Sequence, residues 1–257
     1  MSYDYSENIL VQESAGHLLV DELGWQVELA YNQEVLGENG TFGRSSYKDI
    51  LLVRYFQKAL RTLNPWITDA QVTEAQNTFE KHLSSASLMQ INEEKYAYIR
   101  DGIPVTEKKP NGQTEEKRAI IIDFQHPNDM ERNHFLAVKE MKIHGDLYRR
   151  RTDIVGFVNG IPLLFIELKK NSVDVQNAYT DNYTDYLDTI PQLFYYNAFL
   201  MLSNGVEAKV ATLGSKYEFF HEWKRLSEQE QGSVALETMR RGICKKENFL
   251  DLLENFI

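Results

Sequence analysis

The stretch Arg149-Arg-Arg-Thr-Asp153-Ile-Val-Gly-Phe-Val-Asn159-Gly160-Ile-Pro-Leu-Leu-Phe-Ile-Glu167-Leu168-Lys169-Lys170 decides how the rest of the chain is read. Two apolar runs meet at Asn159-Gly160, a dipeptide suited to a tight hairpin because both residues tolerate positive φ. Strand side chains alternate faces, so Glu167 and Lys169 share one face while Leu168 points into the opposite layer. The hairpin folds Asp153 back beside them. Charges at the end of so apolar a run are costly unless paired or bound to a metal. Residues 163–166 also lack the Lys, Thr or Ser that a solvated face would carry.

Two carboxylates and a lysine have a defined chemical use. Asp153 and Glu167, with the Leu168 carbonyl and waters, suit Mg²⁺, which keeps much of its hydration and takes one or two carboxylates. The metal lowers the pKa of a bound water and neutralises a phosphodiester, while Lys169 steadies the attacking water or the developing charge. The implied reaction is metal-assisted phosphodiester hydrolysis. A surface ion pair on an edge strand fits the same spacing. Register separates the readings. A two-residue loop pairs Val158 with Ile161 and sets Asp153 opposite Ile166, off the face of Glu167. One extra residue, in a Gly160 bulge at the loop or a bulge within either strand, pairs Asp153 with Glu167 or Phe165. The sequence therefore predicts an irregular hairpin.

Outward from this hairpin, residues 118–124, 135–143, 199–203 and 206–212 read as further short strands, and 174–187 as a helix between the fourth and fifth strands. The first hundred residues read as mostly helical: 13–23, 47–63, and helices opening near Thr68 and Ser87. Residues 37–46 read as a mobile connector, because this Gly-rich segment lacks a phosphate loop's Gly-Lys-Ser/Thr ending. The fold class is α+β, a mixed sheet flanked by helices with a helical N-terminal part.

Of 257 residues, 42% are apolar, enough for a sizeable core, and the formal charge is −10. That charge disfavours nucleic-acid binding by bulk attraction, so any DNA contact must be local or supplied by partners. The lone Cys244 cannot form an internal disulfide, which points to a reducing compartment, the cytoplasm. The longest apolar run, 161–166, is too short for a membrane span, and no signal peptide is legible. His126, His134 and His144 are too scattered for a structural zinc site.

Several motifs carry a resemblance: Glu13-x9-Leu23-Gly-Trp25, Gly43-Arg-Ser45, Leu63-Asn-Pro65, Gly102-Ile-Pro-Val105, Ile122-Asp-Phe124, Asn133-x-Phe135, the Arg-Arg-x-Asp-Ile-Val hairpin, Ile190-Pro-Gln-Leu-Phe194, Ser203-Asn-Gly205 and Trp223-Lys224. With them, the chain from Ser6 onward resembles the N-terminal endonuclease domain of the restriction (R, motor) subunit of type I restriction enzymes, within the PD-(D/E)XK nuclease superfamily. The resemblance implies that Asp153 and Glu167 bind Mg²⁺, that Lys169 is the catalytic lysine, and that Glu13 can assist the metal. Glu13 also suits a helix N-terminus through the dipole. Where the family often has Gln-x3-Tyr, this chain has Asn182 and Tyr186, a shorter amide at the position expected to order the site or touch DNA. Arg149, Arg150 and Arg151 could grip phosphates beside the scissile bond or keep the surface solvated.

The expected organisation is an endonuclease domain over 1–225, helical over 1–100 and a catalytic sheet over 101–225, then a helical linker over 226–257 toward a motor. No ATP-binding Gly-x4-Gly-Lys-Ser/Thr occurs here, so the resemblance assigns ATP to motor domains outside the chain. The expected function is a Mg²⁺-dependent endonuclease cutting double-stranded DNA without reading sequence, alongside methylation and specificity subunits and with no membrane contact. The alternatives are a non-catalytic docking or regulatory module with the nuclease fold, and a stand-alone hydrolase of small phosphate esters.

Overall fold

The computed structural model describes residues 23–109, 111–222 and 241–257. A seven-stranded mixed sheet runs in the order β1 (Gln26–Leu29), β4 (Phe135–Lys139), β7 (Ile154–Val158), β8 (Ile161–Leu168), β9 (Phe199–Ser203), β10 (Ala208–Ala211) and β11 (His221–Glu222). The β1–β4 and β8–β9 pairs are parallel and the other neighbours antiparallel. Every residue of β7 and β8 is buried, as expected of strands covered on both faces. Two short ribbons stand beside the sheet: β2 (Ile103–Lys108) with β3 (Thr114–Ala119), and β5 (Lys142–His144) with β6 (Arg149–Arg151).

One face packs Trp25, Ile154, Leu164 and Ile166 against α1 (Val53–Leu63), α2 (Asp69–Glu80), α3 (Leu88–Asp101) and α5 (Lys246–Asn255). The other packs Val155, Phe157, Phe165 and Leu202 under a π-helical turn, Ala178–Tyr183, continued by α4 (Thr184–Thr189). The expected α+β class is the observed one.

The local expectations differ from the structure where a distant contact intervenes. The helices at Thr68 and Ser87 open with capping boxes, each Ser/Thr side chain accepting from the N–H three residues on. The helix expected over 47–63 begins only at Val53, because the Asp49 carboxylate accepts from the Ser45 and Ser46 N–H groups and Leu52 N–H donates to Gly160. The strand expected over 118–124 stops at Ala119: Asn64 takes both backbone groups of Ile120 in place of a ladder. Residues 37–46 are an anchored loop rather than a loose connector, with Phe42 and Arg44 buried and Arg44 2.6 Å from Glu34. Edge strand β1 was not foreseen. The linker expected over 226–257 also differs, because Phe249, Leu250 and Leu253 of α5 belong to the sheet's own core and Trp25 Nε1 donates to Cys244 O at 2.8 Å. Most of the helix expected over 13–23, Glu13 with it, and residues 226–240 lie outside the described residues.

Candidate active site

The hairpin turn has two residues, Asn159 (φ 51°) and Gly160 (φ 80°), both in the left-handed region that Asn-Gly favours. Pairing runs Val158 with Ile161 and Phe157 with Pro162, then shifts to Gly156 with Leu164, Val155 with Phe165 and Ile154 with Ile166. Leu163 is therefore the extra residue. The expected irregularity is present as a bulge within β8, not in the loop. Pro162, which has no N–H to give a ladder, sits beside this bulge. Opposite it, a Cβ on Gly156 would lie 2.9 Å from Leu164 Cβ and 3.0 Å from the Trp25 ring, so only glycine fits.

The bulge inverts side-chain parity. Leu163 and Leu164 are sequence neighbours, yet both join the core on the Trp25 face. Beyond them Phe165 turns to the other layer with Val155, and Glu167 follows it. One more step of the same register brings Asp153 opposite Glu167 on that face. Asp153 Oδ2 accepts the Leu168 N–H at 2.7 Å, locking the open end of the hairpin. A strand residue's N–H and C=O leave by the same edge, so the Leu168 carbonyl also faces Asp153.

Across this end lies the π-helical turn, a local widening that often marks functional sites. Asn182 sits in it and bridges the site: its Nδ2 donates to Glu167 Oε1, and its Oδ1 accepts from Lys169 Nζ. Tyr186 is buried and donates its hydroxyl to Arg151 O at 3.1 Å. Both side chains thus point into the site and its support. Glu167 is 2% exposed. Burial first, and then the neighbouring Asp153 charge, push its carboxyl well above the usual range against the opposing pull of Lys169 and Asn182.

Glu167 Oε2 is buried and has no hydrogen-bond partner, although nearly all buried polar atoms have one. A bound cation would satisfy it and return the carboxyl to its ionised form. Among the described residues no group of three or more His, Cys, Asp or Glu converges. The donor set is two carboxylates and a backbone carbonyl, all hard oxygens, which fits Mg²⁺ with retained waters.

The chain matches, over residues 4–219, the family described as Type I restriction enzyme R protein N terminus. It belongs to that family. As an N-terminal region of an R protein, it is 29% identical over 247 residues to the Type I restriction enzyme HindI endonuclease subunit of Haemophilus influenzae, covering 93% of this chain and 23% of that protein. It is 27% identical over 238 residues to the Putative type I restriction enzyme MjaIXP endonuclease subunit of Methanocaldococcus jannaschii, covering 83% of this chain and 22% of that protein. The chain thus spans under a quarter of the length of these relatives. Asp153, Glu167, Lys169, Asn182 and Tyr186 all fall within the part that matches the R-protein family.

The three arginines diverge. Arg150 turns inward to a two-pronged ion pair with Asp185 of α4, at 2.5 and 2.8 Å. Arg151 lies 3.3 Å from Glu140 and 4.6 Å from the Tyr31 ring centroid, and Arg149 is exposed. Sequence reasoning missed Asp185 and Glu140. Asp185 follows Asn182 by three residues on the same helical segment, a spacing that could have signalled a shared face. Glu140, with φ 53°, has no comparable local signal.

Proposed function

We propose that this chain is the Mg²⁺-dependent endonuclease module of a type I restriction enzyme R subunit, with a PD-(D/E)XK centre that hydrolyses double-stranded DNA without reading its sequence. The observation that carries this reading is the parity-inverting bulge, which brings Asp153 and Glu167 to one face and leaves Glu167 Oε2 buried without a partner. Asp153, Glu167 and the Leu168 carbonyl would hold the ion, which when bound supplies charge neutralisation at the phosphate and a water of lowered pKa. Asn182 fixes the rotamers of Glu167 and Lys169 together. Lys169 carries a proton-rich group to the attacking water or a phosphoryl oxygen. DNA delivery, ATP hydrolysis and target choice fall in this reading to motor domains and to methylation and specificity subunits beyond the chain, in the cytoplasm. Among the described residues no helix is long and apolar enough to cross a membrane.

In the assembled complex, Asp153→Ala or Glu167→Ala abolishes DNA cutting while ATP hydrolysis continues. Normal cutting by either variant overturns the reading. Lys169→Ala lowers the cutting rate more than Mg²⁺ affinity measured by titration. The feature that favours the docking-module alternative is the shorter amide at position 182, but that amide reaches both Glu167 and Lys169.

A further inference from the structure

The β5–β6 ribbon stands out from an acidic protein. Residues 142–151 hold four Lys or Arg and one Asp in a chain of net charge −10. Lys142 pairs with Arg151 and His144 with Arg149, and directly opposed residues of an antiparallel pair share a face. Arg150, paired with Ile143, takes the other face and is consumed by Asp185. One side of the ribbon therefore presents Lys142, His144, Arg149 and Arg151 together. Tyr31 lies 5.4 Å from Lys142 and 4.6 Å from Arg151, and the Tyr47 ring is 4.9 Å from that of His144. Of the acids nearby, Glu140 lies 3.3 Å from Arg151 and Asp146 3.0 Å from Lys48, and Asp188 lines the same pocket as Asp146, Leu147 and Tyr148.

The tip of the ribbon is unlike ordinary turn chemistry. Leu147 is 87% exposed and Tyr148 50%, side by side between the cationic strands. His144 registers the local field: burial, and then Arg149, Arg44, Lys142 and Lys48, hold its pKa below the usual value. The ribbon also leads directly into the site, since Arg151 is two residues before Asp153 and its carbonyl is held by Tyr186.

We propose that the β5–β6 ribbon is a duplex-DNA arm, its Lys142–His144–Arg149–Arg151 face lying along one phosphate backbone and its Leu147-Tyr148 tip wedged into a groove. This rests on the nuclease reading and adds to it the surface that seats the duplex. From Arg151 to Arg149 the strand spans about 7 Å at about 3.3 Å per residue, roughly two base pairs of duplex at about 3.4 Å each, with the tip beyond it. Exposed aliphatic tips beside basic side chains are how wedging proteins open base steps, and the charge term supplies the affinity.

The test is binding of the 257-residue chain to a fluorescent duplex in EDTA, where no cutting occurs, across a potassium chloride series. The triple variant Lys142→Gln, Arg149→Gln, Arg151→Gln should reduce the slope of log affinity against log salt by about 2, from Lys142 and Arg149, because Arg151 already shares its charge with Glu140. Leu147→Ser should weaken binding without changing the slope. A charge-matched control, Lys108→Gln, Lys109→Gln, Lys117→Gln on the β2–β3 ribbon, should bind like the parent. Failure of the parent to bind duplex, or equal loss in the control and the ribbon triple, overturns the arm. The two proposals fail separately: cutting of DNA in the complex by Asp153→Ala would sink the nuclease reading, and parental duplex binding by the ribbon triple would sink the arm.

Discussion

The two ends of the β7–β8 hairpin are built from similar residues and behave in opposite ways. At the closed end, Asn159 is 2% exposed, yet both of its side-chain polar atoms find backbone partners. Its Nδ2 donates to Ile121 O at 2.8 Å, and its Oδ1 accepts from His134 N at 2.7 Å. Asn133 continues the node to the backbone of Asp123. At the open end, Asn182 serves Glu167 and Lys169, but Glu167 Oε2 is left over. Two buried carboxylates mark the contrast. Burial alone would raise Asp123, but hydrogen bonds from Arg132, His126 and the Gln125 N–H outweigh it and hold the carboxyl low. Glu167 has too few such donors and is held high. A satisfied polar node stabilises a fold, whereas an unsatisfied one is tolerated where a ligand is to complete it.

The largest expected effect breaks the closed end. Gly160→Ala places a Cβ 2.5 Å from Leu52 O at a φ of 80°, and should lower stability in urea by about 3 kcal/mol. Retention of parental stability would mean that the turn can move without consequence. At the open end, if the proposed site holds a metal, Asn182→Ala should slow DNA cutting in the assembled complex by roughly 10- to 100-fold, the usual cost of losing a group that orients a metal ligand. Urea stability should change little, and Asn182→Gln should restore most of the rate. An equal loss of stability and rate would make Asn182 a packing residue.

The smallest effects sharpen the contrast through pH, read by urea unfolding without divalent metal. A carboxyl held low stabilises the fold above its ordinary value, 3.8 for Asp123, and that contribution is lost as pH falls below it. Asp123→Asn should therefore flatten the acid limb of the stability curve. Glu167 has the opposite sign. Its folded form binds the proton more tightly than the unfolded chain, so stability declines as pH rises above its ordinary value of 4.5. Glu167→Gln should remove that decline and leave the acid limb unchanged. Identical curves for the two variants would erase the proposed difference between the ends.

Much of the candidate site's geometry was legible because its signals are local. The Asn-Gly turn, the apolar run around Glu167 and the Glu-x-Lys spacing all lie within a few residues, and the register arithmetic alone requires one extra residue to bring Asp153 onto the face of Glu167. The capping boxes at Thr68 and Ser87 are equally local. The fate of the arginines was not legible, because Asp185 lies 35 residues from Arg150 and their meeting depends on how α4 crosses the sheet.

By itself, then, the sequence determined the α+β class, the hairpin and the identity of its charged residues, since these follow from periodicity, turn chemistry and the cost of leaving charge beside apolar strands. Only the tertiary structure decided that Leu163 is the bulged residue, with Gly156 opposite and Trp25 against it. It alone placed α5 in the core and Asn182 between Glu167 and Lys169. The physical reason is that a bulge or a crossing helix is chosen by packing among segments distant in sequence, and no local preference distinguishes one permitted position from the next.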